Sequence, residues 1–103
     1  YKRSGADIES DLPVSISEAI LGGEVVARVI DGQVMVRIPK GASSGQRLRI
    51  KGKGAMNPIT KSRGDHYFNL ELILPKEIDS ELENAIRDWS KRHHYNPREM
   101  GAR

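Results

Sequence analysis

The sequence has no cysteine among its 103 residues. This absence excludes disulfide bonds, a thiolate metal site and a cysteine nucleophile, and it is compatible with a reducing compartment. Aromatic residues are also scarce, because one Trp, one Phe and three Tyr make up only 5% of the chain. No segment approaches the roughly 20 apolar residues that cross a bilayer, and no signal peptide is visible. We therefore expect a cytoplasmic domain with no membrane partner.

The length fits one domain, with no room for a second core of ordinary size. Hydrophobic residues account for 37% and charged residues for 30% of the chain, which is typical of a globular domain with a modest core. Because the chain begins at Tyr1 rather than at a methionine, we expect it to be a piece of a longer protein.

Positive charge is concentrated in the middle of the chain. Residues 37–63 contain eight Lys and Arg side chains and no acid, whereas the rest of the chain carries nine basic and 14 acidic residues. A positive region attracts polyanions, but Lys and Arg on strands also protect sheet edges from unwanted pairing. Charge alone therefore leaves both nucleic-acid binding and an ordinary solvated surface open.

Most of the chain has the pattern of short strands separated by turns. The predicted strands are residues 8–16, 24–30, 33–38, 47–51 and 66–74. Pro13 places the first strand at a sheet edge or near a strand end. A single helical turn after Ser17 ends at Gly22, and Asp31 with Gly32 supplies a two-residue hairpin turn.

The last segment changes to a helical period. Its apolar residues are Leu82, Ala85, Ile86 and Trp89. They fall at spacings of three, four and seven residues and so form one apolar stripe on a helix. Ser80 with Glu83 has the pattern of a capping box, and Asp79 adds negative charge at the helix start. The stripe either covers the sheet of its own chain or contacts a second copy, and the residues alone leave both open.

Five strands and one terminal helix predict an all-β fold, a small two-sheet β-sandwich with a C-terminal amphipathic helix.

No catalytic or metal-binding arrangement is evident in the sequence. His93 and His94 are neighbours on a helix and point about 100° apart, so they do not form a ligand pair. Ser43 and Ser44 have no histidine at a spacing that suggests a general base. The Gly-Lys-Gly run at residues 52–54 lacks the spacing of a phosphate-binding loop. We therefore expect a protein that is not an enzyme and that needs no metal or other cofactor.

An ordered series of motifs resembles the second C-terminal β-domain of DnaJ-family co-chaperones. The motifs are DLPVSISEAILGGEV at residues 11–25, DG at residues 31–32, IPKG at residues 38–41, SGQ at residues 44–46, LRIKGKG at residues 48–54 and RGD at residues 63–65. Together they span most of residues 7–75, and the complete set in this order carries the resemblance. Residues 45–54 and 96–103 are most similar to the bacterial curved-DNA-binding branch of that family.

The resemblance implies a domain organisation and a set of partners. Residues 1–76 would be a β-sandwich of the DnaJ peptide-binding type, residues 77–95 a dimerisation helix and residues 96–103 a flexible tail. The chain would form a homodimer through the apolar stripe, bind non-native polypeptide clients and serve a DnaK-type ATPase. Cooperation with that ATPase needs a His-Pro-Asp tripeptide in a J-domain, and no such tripeptide occurs in this sequence.

The resemblance also implies two sets of binding residues. The residues that correspond to a client groove are Val25, Ala27, Val29 and Tyr67. An ordinary core role is the alternative for these residues. The curved-DNA-binding branch suggests nucleoid association, with phosphate contacts from one basic strand and the turn after it. The residues that this second function would use are Arg47, Arg49, Lys51 and Lys53.

Overall fold

A computed structural model describes residues 2–99 of the chain. Within these residues the chain forms six strands, two α-helices and a short 3-10 turn. The strands are β1 (Lys2–Ser4), β2 (Asp7–Val14), β3 (Gly23–Val29), β4 (Gly32–Ile38), β5 (Arg47–Ile50) and β6 (His66–Leu72). The helices are α1 (Ile16–Leu21) and α2 (Ser80–Arg92), and the 3-10 turn is Pro97–Glu99.

Four of the strands form one mixed sheet in the order β1-β2-β6-β5. The long strands β2 and β6 run parallel at its centre, with Ile8 opposite His66 and Val14 opposite Leu72. Strand β5 pairs antiparallel with β6 on one side, and β1 pairs antiparallel with β2 on the other. The parallel pairing fixes the two ends of the sheet, because both central strands start at one end and finish at the other.

The other two strands form a separate antiparallel hairpin. Val25 pairs with Val36 and Ala27 with Val34, so these side chains share one face. Gly32 has a φ of 141°, a value that disfavours side chains other than hydrogen. The predicted hairpin is confirmed, but its two turn residues are Ile30 and Asp31 rather than Asp31 and Gly32, because Gly32 already pairs with Val29.

The hairpin packs against one face of the four-stranded sheet and makes a single apolar core. The buried members of the core are Leu12, Val14, Ala19, Ala27, Val29, Val36, Ile38, Phe68 and Leu70. They come from the inward-facing positions of both sheets and from α1. The predicted all-β class and two-sheet sandwich are confirmed.

Helix α1 follows β2 directly and closes one end of the sandwich. Ser15 caps it, since the Ser15 hydroxyl accepts from the Glu18 amide while the Glu18 carboxylate accepts from the Ser15 amide. The helix therefore begins two residues earlier than predicted, since its cap is Ser15 rather than Ser17. It ends where expected, at Gly22, whose φ is 76°.

The first strand, β1, was not predicted. It pairs only with residues Asp7, Ile8 and Glu9 of β2, so the second half of β2 has a neighbour on one side alone. Pro13 lies in that second half, where its missing amide hydrogen costs no ladder bond. Pro13 thus lies at a sheet edge as predicted, but only the second half of β2 has that position.

Helix α2 is capped by Asp79 rather than by Ser80. The Asp79 carboxylate accepts from the Leu82 amide at 2.9 Å, so the capping box expected between Ser80 and Glu83 is wrong. An aspartate one residue earlier competes for the same orphan amides and adds negative charge at the positive end of the helix. The predicted tail at residues 96–103 begins with the 3-10 turn, and residues 100–103 lie outside the described part.

Candidate functional site

The apolar stripe of α2 is uncovered within the chain. No residue of this helix is buried. Leu82 is half-buried, Ala85 is exposed, and Ile86 and Trp89 are 52% and 44% exposed. The stripe therefore does not cover the sheet of its own chain, which was one of the two roles that the sequence left open.

The helix projects away from the sandwich. The described chain has principal extents of 58 × 29 × 20 Å and a radius of gyration of 17.3 Å, whereas a compact chain of this length has about 13 Å. A helix of 13 residues is about 20 Å long, which accounts for much of the long axis. An amphipathic helix without a partner surface is marginal in water, so its stability depends on something that covers the stripe.

An aromatic cluster closes the carboxyl end of the stripe. The Trp89 indole stacks on the His93 imidazole with centroids 4.8 Å apart and an angle of 15°, and it meets the Tyr95 ring edge-on at 5.9 Å. The His93 amide donates to the Trp89 carbonyl at 2.9 Å and ends the helix. These contacts hold the indole in one orientation while leaving part of it exposed.

The four predicted client residues do not lie on one surface. Ala27 and Val29 are buried in the core, and Val25 packs against it from the same face of β3. Tyr67 is on the opposite sheet and points outward, because its neighbours His66 and Phe68 point into the core. The structure thus places three of the four in the core role that the sequence left as an alternative.

Two of the predicted nucleic-acid residues are held by carboxylates. Arg47 lies 3.4 Å from Glu9 and its guanidinium sits 3.9 Å from the centre of the Tyr67 ring. Arg49 donates to Asp65 through Nε at 2.7 Å. Both acids lie outside residues 37–63, so the pairing is invisible in the linear charge pattern.

Asp65 organises the turn that follows the basic strand. Its side chain accepts hydrogen bonds from the Gly52 amide at 2.8 Å and from Arg49. These hydrogen bonds, above all the one from Gly52, hold the pKa of the carboxyl below its usual value. Lys51 also lowers this pKa by its charge, and Lys53 acts likewise on Asp31. The predicted phosphate-binding residues therefore lie among acids of the same chain.

Arg63 is fixed in a similar way. It donates to Asp31 at 2.7 Å and to the Gly54 carbonyl at 2.8 Å. The hydrogen bond between Arg63 and Asp31 raises the pKa of Arg63 and lowers that of Asp31. The pair ties the tip of the β3–β4 hairpin to the loop that precedes β6.

His66 is a core residue that the sequence did not identify. It is completely buried, its Nε2 lies 2.8 Å from the Ser10 hydroxyl, and its ring stacks on Phe68 at 4.3 Å. Burial lowers the pKa of this imidazole. In residues 2–99, no group of three or more His, Asp or Glu side chains has the geometry of a metal site, and no helix there is long and apolar enough to cross a bilayer.

Comparison with known sequences shows the family to which the chain belongs. The model of the DnaJ C terminal domain matches residues 1–75. The chain belongs to the DnaJ C-terminal domain family. This DnaJ C-terminal domain is 38% identical over 91 residues to the chaperone protein DnaJ of Enterococcus faecalis, an alignment that covers 88% of the chain and 23% of the relative.

Other bacterial proteins of the same name give a similar picture. Those of Lachnospira eligens and Clostridium perfringens are 35% and 33% identical, again over 88% of the chain and 24% of the relative. This DnaJ C-terminal domain thus spans about a quarter of the length of these relatives. The resemblance to the DnaJ family is confirmed, and the narrower resemblance to the curved-DNA-binding branch stays a prediction.

Proposed function

We propose that this DnaJ C-terminal domain is a non-catalytic dimerisation module of a cytoplasmic co-chaperone, with α2 as the contact between two copies. The observation that carries the proposal is the uncovered stripe, in which Ile86 and Trp89 are about half exposed at the end of a projecting helix. Tryptophan brings a large apolar area and is enriched at the centres of interfaces. A second copy supplies the same stripe and closes the contact by two-fold symmetry.

The proposed organisation follows the predicted boundaries. Residues 1–76 form the sandwich, residues 77–95 form the dimerisation segment around α2, and residues 96–103 follow it. In the longer protein, two such modules would join two chains. Each chain would then present its polypeptide-binding surfaces to one client, and joined sites bind more tightly than separate ones.

The family supports a role in handling non-native polypeptides together with a DnaK-type ATPase. In this chain the contribution to clients would come from partly exposed apolar positions rather than from Ala27 and Val29, because those two are sealed in the core. We therefore expect weak holding of clients by the isolated module. Stimulation of the ATPase would need the J-domain of the longer protein.

The dimer is tested by comparing Trp89→Asp with Asn84→Asp. Both introduce one negative charge in α2, but Asn84 lies on the side of the helix away from the stripe. Light scattering should give a dimer for the unmodified chain and for Asn84→Asp, and a monomer for Trp89→Asp. Equal masses for all three proteins would contradict the proposal.

Client holding is tested separately by suppression of aggregation of a chemically denatured enzyme. We expect a weak effect of the unmodified module and a smaller one for Trp89→Asp, since a dimer offers two client surfaces. A Trp89→Asp monomer with undiminished holding would separate client binding from dimerisation and remove the coupling role.

A further inference from the structure

The hairpin of β3 and β4 has an open edge along β3. Within residues 2–99 its sheet contains these two strands alone, so β3 has a neighbour on one side only. Val29 pairs with Gly32 beside the two-residue turn, and hydrogen-bonded pairs alternate with open pairs along such a hairpin. The backbone amides and carbonyls of Glu24, Val26 and Arg28 therefore point to the open edge.

This edge has little of the protection that exposed strands usually carry. Edge strands are commonly shielded by Pro, by Lys, by a bulge or by a covering segment. Residues 23–29 contain neither Pro nor Lys, and they pair with β4 without a bulge. The shielding that remains is the charge of Glu24 and Arg28, and charges select a partner by their sign.

The outer face of β3 has a charge order that reverses about its centre. Glu24, Val26 and Arg28 alternate with inward-facing residues and so share this face. Val26 is 57% exposed, with an exposed charge on either side of it. Arg37 lies opposite Glu24 on β4, yet in the described part of the chain neither Glu24 nor Arg28 belongs to an ion pair. A complementary strand must therefore carry a cation opposite Glu24 and an anion opposite Arg28.

We propose that the open edge of β3 pairs with the same edge of a second copy, antiparallel about a two-fold axis through Val26. The axis places Glu24 of each copy opposite the partner's Arg28 and brings the two Val26 side chains together. On the inner face, Val25 meets the partner's Ala27, so the apolar residues also match. A strand of unrelated sequence matches this charge order only by chance, whereas every copy of this chain carries it.

The β3 contact goes beyond the proposed α2 dimer and uses a different part of the chain. One pair of seven-residue strands covers little of the roughly 800 Å² that a standard interface buries on each partner. We therefore expect this association only at concentrations well above those that form the α2 dimer. Two different two-fold contacts on one chain join α2 dimers into tetramers and longer chains.

Charge reversal tests the pairing in the Trp89→Asp background, which removes the α2 contact. Glu24→Arg alone and Arg28→Glu alone should each weaken self-association about tenfold or more, because each sets like charges opposite each other twice. A mixture of these two variants should associate as strongly as the unreversed chain, since every cation then faces an acid. Lys61→Glu, at an exposed loop position, is the control and should change nothing. Sedimentation equilibrium at high protein concentration measures all four.

The absence of cysteine allows an independent test by cross-linking. Val26→Cys sets two thiols on Cβ atoms about 5 Å apart across the axis, so a short bismaleimide should join two copies. Met35→Cys is the matched control, because Met35 lies opposite Val26 on β4 and is 58% exposed. It is one strand further from the axis and should give little product.

The outcomes separate the β3 contact from the proposed function. Equal cross-linking of Val26→Cys and Met35→Cys, or no recovery in the mixture of charge variants, would overturn the β3 pairing. Trp89→Asp chains that stay monomeric at every concentration would also overturn it, while the α2 dimer stands. A Trp89→Asp chain with the mass of the unmodified chain at micromolar concentration would instead refute the α2 dimer. Reduced holding of denatured enzyme by Glu24→Arg, with unchanged self-association, would assign the edge to non-native polypeptides.

Discussion

The indole of Trp89 and the imidazole of His93 stack one helical turn apart, 4.8 Å between centroids and 15° from parallel. The stack lies where α2 ends, and the His93 amide completes the last turn of the helix. The residue most suited to bind a second copy is thus oriented by the residue that terminates the helix. Loss of the imidazole should therefore loosen the indole without removing the apolar stripe.

His93→Ala should weaken dimerisation less than Trp89→Asp does. A stacked aromatic pair contributes about 0.5–1.5 kcal/mol beyond its area, which corresponds to a change of roughly two- to tenfold in the dissociation constant. Sedimentation of a dilution series measures the change. His94→Ala serves as the control, and an equal effect of the two substitutions would show that the stack does not matter.

Asp79→Ala should reduce the helicity of α2 and the stability of the dimer. Removing an N-cap aspartate costs about 0.5–2 kcal/mol, and far-UV circular dichroism with the dimer dissociation constant reports it. Ser80→Ala should have little effect, because the Leu82 amide is bonded to Asp79. A larger loss for Ser80→Ala would restore the capping box expected from the sequence.

Acidification should destabilise the fold through His66. Burial lowers the pKa of this imidazole below its ordinary value of 6.5. The unfolded chain therefore binds a proton at pH values at which the folded state does not. The stabilisation is complete above about pH 6.5 and is lost as the pH falls toward the folded pKa. Asp31 and Asp65 also have a lowered pKa, but their effect is confined to pH values below about 4.

Urea unfolding between pH 7.5 and pH 5 measures the contribution of His66. The free energy of unfolding should fall with decreasing pH in the unmodified chain and change less in His66→Phe. His94→Gln, at an exposed position, should keep the slope of the unmodified chain. An unchanged slope in His66→Phe would mean that another group titrates.

Gly64→Ala should be among the most destabilising single-methyl additions in this domain. A Cβ at Gly64 would overlap the backbone of Ala6, and at Gly54 it would lie 2.5 Å from the Ala6 carbonyl oxygen. Overpacking of this kind costs about 1–3 kcal/mol. Gly41→Ala is the control, because a Cβ at Gly41 meets open space at a φ of 75° and should cost only the left-handed strain of about 1–2 kcal/mol. An equal loss of stability in thermal unfolding for Gly41→Ala and Gly64→Ala would contradict the tight contact.

Duplex DNA should bind weakly to this chain, and binding should depend little on salt. Arg47 and Arg49 already contact Glu9 and Asp65, so a phosphate would have to displace a carboxylate of the same chain. A salt series in a fluorescence anisotropy titration measures the number of phosphate contacts from its slope. A steep slope that Lys51→Gln and Lys53→Gln reduce would return nucleic-acid binding to consideration.

Local features of the fold were predictable because their causes lie within a few residues. The β3–β4 hairpin, the alternation of β4 and the spacing of the α2 stripe each depend on neighbours in sequence. The pattern of short strands predicted the sandwich, and the family motifs between residues 7 and 75 implied the same fold. The short strand β1 was missed because it has no apolar periodicity and exists only by pairing with β2.

Long-range relationships could not be predicted from the linear pattern. Ser10 and His66 are 56 residues apart and meet only because β2 and β6 pair in parallel. The same pairing brings Glu9 close to Arg47, which changes the meaning of the basic segment.

If α2 holds two copies of this chain together, sedimentation velocity of the unmodified chain at micromolar concentrations should show a species of twice 11.5 kDa. That species should dissociate on dilution. A single species of 11.5 kDa at every concentration would contradict it.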